Sequence, residues 1–226
     1  EERDRPALLL VDQRVSMFFG TVAFMKSVIA AEAAAIAAHR VLGQGDRVGG
    51  LVFSDTSVAE HRPQRRATAL TRLLSSIAAA NSALHAGLTP EPTVSLNDML
   101  TEAARVCQTS GLICLFSDCD GLDDRSEALL RRLAASNDLI VFNVAAPTSH
   151  SLAPDLKLTV SDGDAQIEID SSDPELSAKI RASMEDRLSQ LHKWSRRYGF
   201  PVVPLTTSEA ALDQLLRLFG HGGARR

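Results

Sequence analysis

What this sequence has little of narrows the possibilities first. Aromatic residues make up only 4% of its 226 residues, so platforms for stacking nucleic-acid bases are scarce. Basic residues are not in excess either: 24 Lys and Arg stand against 28 Asp and Glu, a formal net charge of −4, and nucleic acid is not expected as a partner. There are three cysteines, Cys107, Cys114 and Cys119, an odd number whose spacing matches no zinc motif. They read as core thiols of a protein in a reducing compartment, hence the cytoplasm, and not as a disulfide framework. No apolar stretch approaches the roughly 18 residues a transmembrane helix needs, and no basic-then-apolar signal opens the chain. The six histidines are scattered without ligand spacing.

What is present is an ordinary globular balance, 45% hydrophobic and 23% charged, in strands that are apolar throughout. Ala7-Leu-Leu-Leu-Val-Asp12-Gln-Arg14-Val-Ser16 is an apolar run ending in an acid, an arginine and a serine at alternate positions. Gly111-Leu-Ile-Cys-Leu-Phe-Ser117-Asp118 repeats that grammar. Further strands are expected at 47–53, 58–61, 139–144 and 202–205, and helices at 24–42, 65–84, 96–107 (with Ser95 or Asn97 available near its start as a cap), 124–135, 174–198 and 210–219. Alternation over 156–169 around Asp162-Gly163 predicts an added antiparallel hairpin. Alternating apolar strands and helices imply one α/β domain over 1–220 with a 221–226 tail: a doubly wound, mostly parallel, Rossmann-like sheet flanked by helices. The opening Glu1-Glu-Arg-Asp-Arg-Pro6, without Met, suggests a longer protein with a further N-terminal segment.

In such a sheet, ligands bind outside the strand carboxyl ends at the topological switch point. If the first strand neighbours the 111–117 strand, Asp12 and Asp118 face each other there. Two carboxylates about 5 Å apart repel by roughly 3 kcal/mol at an effective dielectric near 20, so the pair calls for a cation. A bound divalent metal or a basic side chain can supply it. The residues Met17, Phe18 and Phe19 that follow either form an apolar lip for a partner or fold into the core. Asp118, Asp120, Asp123 and Asp124 read as a solvated loop leading into a helix, and Arg62, Arg65, Arg66, Arg196 and Arg197 as solvated faces.

Asp12-Gln-Arg-Val-Ser16-Met, the Lys26-Ser-Val-Ile-Ala-Ala-Glu-Ala helix, Gly45-Asp-Arg-Val-Gly49, Val94-Ser-Leu-Asn-Asp98, Phe116-Ser-Asp118 and the lead-in Glu2-Arg-Asp-Arg-Pro6 together resemble the von Willebrand factor A-like (vWA) domain of a bacterial family of unknown function. Its members are commonly found beside MoxR-type AAA+ ATPases. The resemblance implies a vWA-like fold and a protein-binding module, not an enzyme, that works with such an ATPase on an unidentified client in assembly or remodelling. It also implies a metal-ion-dependent adhesion site. Asp12, Ser16 and Asp118 match that site's ligands for Mg²⁺, with Ser95 or Thr93 near the place of its threonine. The middle serine of the Asp-x-Ser-x-Ser loop is Arg14, whose guanidinium repels Mg²⁺ and can bridge Asp12 and Asp118. Two outcomes stand open: a bound Mg²⁺, or a degenerate site filled by Arg14 with Arg14, Met17 and Phe18 as the partner surface. The enzymatic alternative is a metal-dependent hydrolase or phosphatase using the strand-end aspartates.

Overall fold

The computed structural model describes residues 5–20, 23–85, 87–88, 91–146, 157–161, 166–170 and 174–220, with backbone alone for 157–161, 166–170 and 174–181. Eight strands and six helices follow in order: β1 (Pro6–Asp12), α1 (Lys26–Gly43), β2 (Arg47–Phe53), β3 (Val58–Gln64), α2 (Ala67–Ala83), α3 (Leu96–Val106), β4 (Leu112–Ser117), α4 (Asp124–Ser136), β5 (Asp138–Ala145), β6 (Lys157–Ser161), β7 (Gln166–Asp170), α5 (Pro174–Tyr198), β8 (Val202–Thr206) and α6 (Ala211–Phe219). A 3₁₀ turn over Val15–Met17 sits between β1 and α1.

The main sheet runs β3-β2-β1-β4-β5-β8, parallel except for the antiparallel edge strand β3. β1 is central because it is apolar on both faces: Ala7 to Val11 are all buried. Ala7, Leu9 and Val11 pack toward Ile29 and Ala33 of α1, Leu73 of α2 and Leu215 of α6. Leu8 and Leu10 pack on the opposite face with Leu100 of α3, Leu130 of α4 and Trp194 of α5. Two layers of helix thus cover one doubly wound, vWA-like sheet, as its strand pattern predicts. All three cysteines are buried and free, and burial pushes the Cys114 thiol up to about 12.

The edge departs from expectation. β3 runs three residues past His61 and through Pro63, which an edge strand tolerates where the ladder is already interrupted. Its register with β2 shifts between Val48 and Gly50. A Cβ on Gly49 would stand 2.2 Å from the His61 carbonyl oxygen, so this irregularity requires glycine. The added hairpin forms a two-stranded antiparallel sheet of its own, β6-β7, with β6 beside the 3₁₀ turn. Its Asp162-Gly163 turn and the 221–226 tail lie outside the described residues.

Candidate functional site

β1 and β4 are neighbours in register, Val11 opposite Phe116, so the next residues, Asp12 and Ser117, meet where the sheet order reverses. Ser117 Oγ donates to Asp12 Oδ2 at 2.6 Å. Two residues beyond Asp12, at the spacing that returns a side chain to the same face of extended chain, Arg14 grips the same carboxylate. Its Nε donates to Oδ1 at 3.0 Å, its Nη2 to Oδ2 at 2.8 Å, and its backbone N–H to Oδ1 at 3.0 Å. Each oxygen of Asp12 therefore accepts two hydrogen bonds, which uses all of its lone pairs. Nη2 also reaches the Asp120 carbonyl at 3.1 Å, and the guanidinium lies over the Phe53 ring at 5.7 Å. Burial disfavours the charge on Arg14, but Asp12, with help from Asp118 and Asp120, raises its pKa above the ordinary arginine value.

Asp118 has a different cation. Lys26, the first residue of α1, donates from Nζ to Asp118 Oδ2 at 2.5 Å, and both side chains are almost completely buried. Asp118 Oδ1 accepts from the Asp120 N–H at 3.0 Å and from Ser16 Oγ at 3.4 Å. Burial opposes ionisation of Asp118, yet Lys26, Arg14 and Arg187 hold its carboxyl below the usual carboxylate range. A lysine in the first helical turn works against the helix dipole; here its partner is a buried carboxylate, and its ammonium also lies 5.5 Å from the centre of the Phe19 ring. Arg14 hence does not bridge the two aspartates with hydrogen bonds. The second cation makes that unnecessary.

Asp12, Arg14, Ser16 and Asp118 are brought together, but the other predicted members are used differently. The Ser95 hydroxyl donates to Asp98 Oδ2 at 2.7 Å and accepts from the Asp98 N–H, so it is the N-cap of α3 in a capping box. Exposed Thr93 donates its backbone N–H to the Asp55 carbonyl at 2.8 Å. Met17 is completely buried and forms no lip; its sulfur accepts the Asp118 N–H at 3.3 Å. Phe18 remains half-buried. The acidic loop divides: Asp120 pairs with Arg187 of α5 at 2.5 Å, Asp123 caps α4 through a box with Ser126, and Asp124 is exposed. Burial, reinforced by Asp118, pushes the Asp120 carboxyl up.

Two participants escaped the sequence. Lys26 stood in view as the charged start of an alanine-rich helix. Asp55, two residues past β2, accepts the Val15 N–H at 2.7 Å while its carbonyl holds the 93–94 segment. Its signal was another acid at a strand's carboxyl end, and burial pushes its pKa up.

The residues do not fit a divalent ion. The lone pairs a metal needs on Asp12 are taken, and the two carboxylates are each neutralised by a buried cation. Among the described residues, no helix is long and apolar enough to cross a membrane.

Several solved structures share the fold. A conserved hypothetical protein, BatB, from Bacteroides thetaiotaomicron aligns at 12% identity over 96% of this chain and 98% of its own, with a TM-score of 0.56. An aerotolerance-related membrane protein from Bacteroides fragilis, with multiple mutations to serines, aligns at 10% identity over 96% and 97%, with a TM-score of 0.53. The VWA domain of SpRpn10 is a looser match, 12% identical over 94% of each chain with a TM-score of 0.49, too loose to argue from. At these identities the likeness is one of fold alone. No curated protein matches the sequence. Residues 1–190 match one family over most of the chain, and the protein belongs to it: DUF58, described as a protein family of unknown function.

Proposed function

We propose that the chain is a non-catalytic, protein-binding vWA-like module of the cytoplasm whose degenerate adhesion site is closed from within, and that it cooperates with a MoxR-type AAA+ ATPase in assembling or remodelling a client protein. The carrying observation is that each strand-end carboxylate already holds a built-in cation, Arg14 on Asp12 and Lys26 on Asp118. An adhesion site with Mg²⁺ depends on a partner's oxygen completing the metal's shell. Here Lys26 ties the start of α1 to the β4–α4 segment, and hydrogen bonds from Ser16 to Asp118 and from Arg14 to the Asp120 carbonyl hold the residues after β1 against it, so the crevice serves as a scaffold for whatever surface meets the partner. Phe18, beside that scaffold in sequence, is half-buried, and the three free thiols fit a reducing compartment.

The phosphatase alternative is disfavoured by the same geometry. Aspartate-nucleophile phosphatases place their acid/base two residues after the nucleophile, and that place is Arg14, which uses up Asp12. The test is co-purification of the full-length protein with a MoxR-type ATPase from the same organism, with ATP, with ADP and without nucleotide. Retention in at least one nucleotide state is expected. No retention in any state overturns the reading, as does phosphatase turnover with Mg²⁺ that is lost in Asp12→Asn.

A further inference from the structure

From His61 to Pro90 the chain has four arginines, Arg62, Arg65, Arg66 and Arg72, and not one carboxylate, although the whole chain carries a formal net charge of −4. The fold folds this stretch into one face: the edge strand β3, the turn after it and α2. Arg62 and Arg72 line a concavity of about 450 Å³ together with Val48, Glu60, His61 and Gln64. Glu60, the carboxylate among these lining residues, is engaged by Arg105 of α3 at 2.7 Å as well as by Arg62 at 3.6 Å. Arg66 and Arg72 are exposed and form no ion pair among the described residues. The first turn of α2 carries no acid to offset them. The crevice thus neutralises its own charges, whereas this face leaves positive charge facing solvent.

We infer that the β3–α2 face is the docking surface for an acidic, extended segment of a partner protein. This rests on the protein-binding reading above and names where and with what chemistry binding occurs. Charge complementarity selects the occupant: like charge on the remainder of the chain repels an acidic segment, while the arginines attract it and hold its carboxylates in paired hydrogen bonds. The surface fits a peptide better than nucleic acid, because no aromatic residue lies between His61 and Pro90 to stack a base.

The probe is a short fluorescein-labelled poly-glutamate peptide, followed by anisotropy with the full chain. Binding that weakens as salt is raised is expected, with an affinity at least about tenfold lower in the Arg66→Glu, Arg72→Glu double variant. A matched reversal on α4, Arg131→Glu with Arg132→Glu, leaves it unchanged, and circular dichroism melts confirm that both variants fold. No binding, equal loss in both variants, or tighter binding of a single-stranded DNA oligonucleotide overturns the inference. Running the ATPase co-purification with the same proteins separates the two readings. Peptide binding without ATPase retention refutes the ATPase partnership alone, and ATPase retention indifferent to Arg66 and Arg72, with no peptide binding, refutes the docking surface alone.

Discussion

The carboxyl-end crevice and the β3–α2 face both carry arginine, yet they use it in opposite ways. In the crevice Arg14 is 9% exposed at its side chain and bound through Nε and Nη2 to a carboxylate with no exposure at all. On the edge face Arg62 is 80% exposed and 3.6 Å from its nearest acid. Burial makes the first a structural commitment, because an unpaired charge there has no water to turn to. Exposure leaves the second free to act over distance, at small energetic consequence to folding.

The sharpest way to break this contrast is Lys26→Met. It leaves Asp118 buried without its ammonium, and a loss of about 3–5 kcal/mol in stability at neutral pH is expected from urea unfolding. The variant's defect has a sign that a packing defect lacks. Without Lys26, only Arg14 and Arg187 oppose the burial that favours the neutral carboxyl, so the Asp118 pKa rises and lowering pH shrinks the difference from wild type. A deficit that is constant between neutral and mildly acidic pH would mean that Asp118 does not depend on that ammonium.

Arg14→Ser comes next, with an expected loss of about 2–4 kcal/mol, since Ser117 and the backbone still hold Asp12. It also restores the Asp-x-Ser-x-Ser pattern. Titration calorimetry of the wild type with Mg²⁺ is expected to show no saturable heat. Micromolar binding abolished by Asp12→Ala would return the crevice to the metal-dependent class.

A smaller effect is expected of wild-type acid unfolding. The Asp118 carboxyl is held below its usual range, so its contribution is fully present above the unfolded value of about 3.9 and is lost as pH falls through the lower folded value. Stability measured by urea midpoint should therefore fall below about pH 4, and in Lys26→Met this part of the decline should vanish. Smallest of all is the edge face: Arg66→Glu with Arg72→Glu should change stability by no more than about 0.5 kcal/mol. A larger loss would show these arginines to be part of the fold and not of a surface.

The same contrast explains what could be read in advance. β1 and β4 announced themselves because each is a solid apolar run ended by a polar residue, and Asp12 and Arg14 because alternate residues of extended chain share a face. Ser95 misled because a serine before a helix has two uses, and only the position of Asp98 decided for the cap. Met17 was undecidable, since an apolar residue after a strand end can turn either way until its neighbours are placed. Lys26 was invisible as a partner of Asp118: 92 residues separate them, and the pair exists only because α1 docks with its first turn in the crevice.

By itself, then, the sequence determined the layered α/β architecture, the switch point at β1 and β4, and the placement of Asp12 and Arg14 at alternate positions of one strand end, all of which follow from short-range periodicity and spacing. Only the tertiary structure decided that a second cation completes the crevice, that the Ser95 hydroxyl is spent on capping α3, and that the arginines of β3 and α2 share one exposed face. Those are statements about distance between segments remote along the chain, and such distances are set by how helices pack on the sheet.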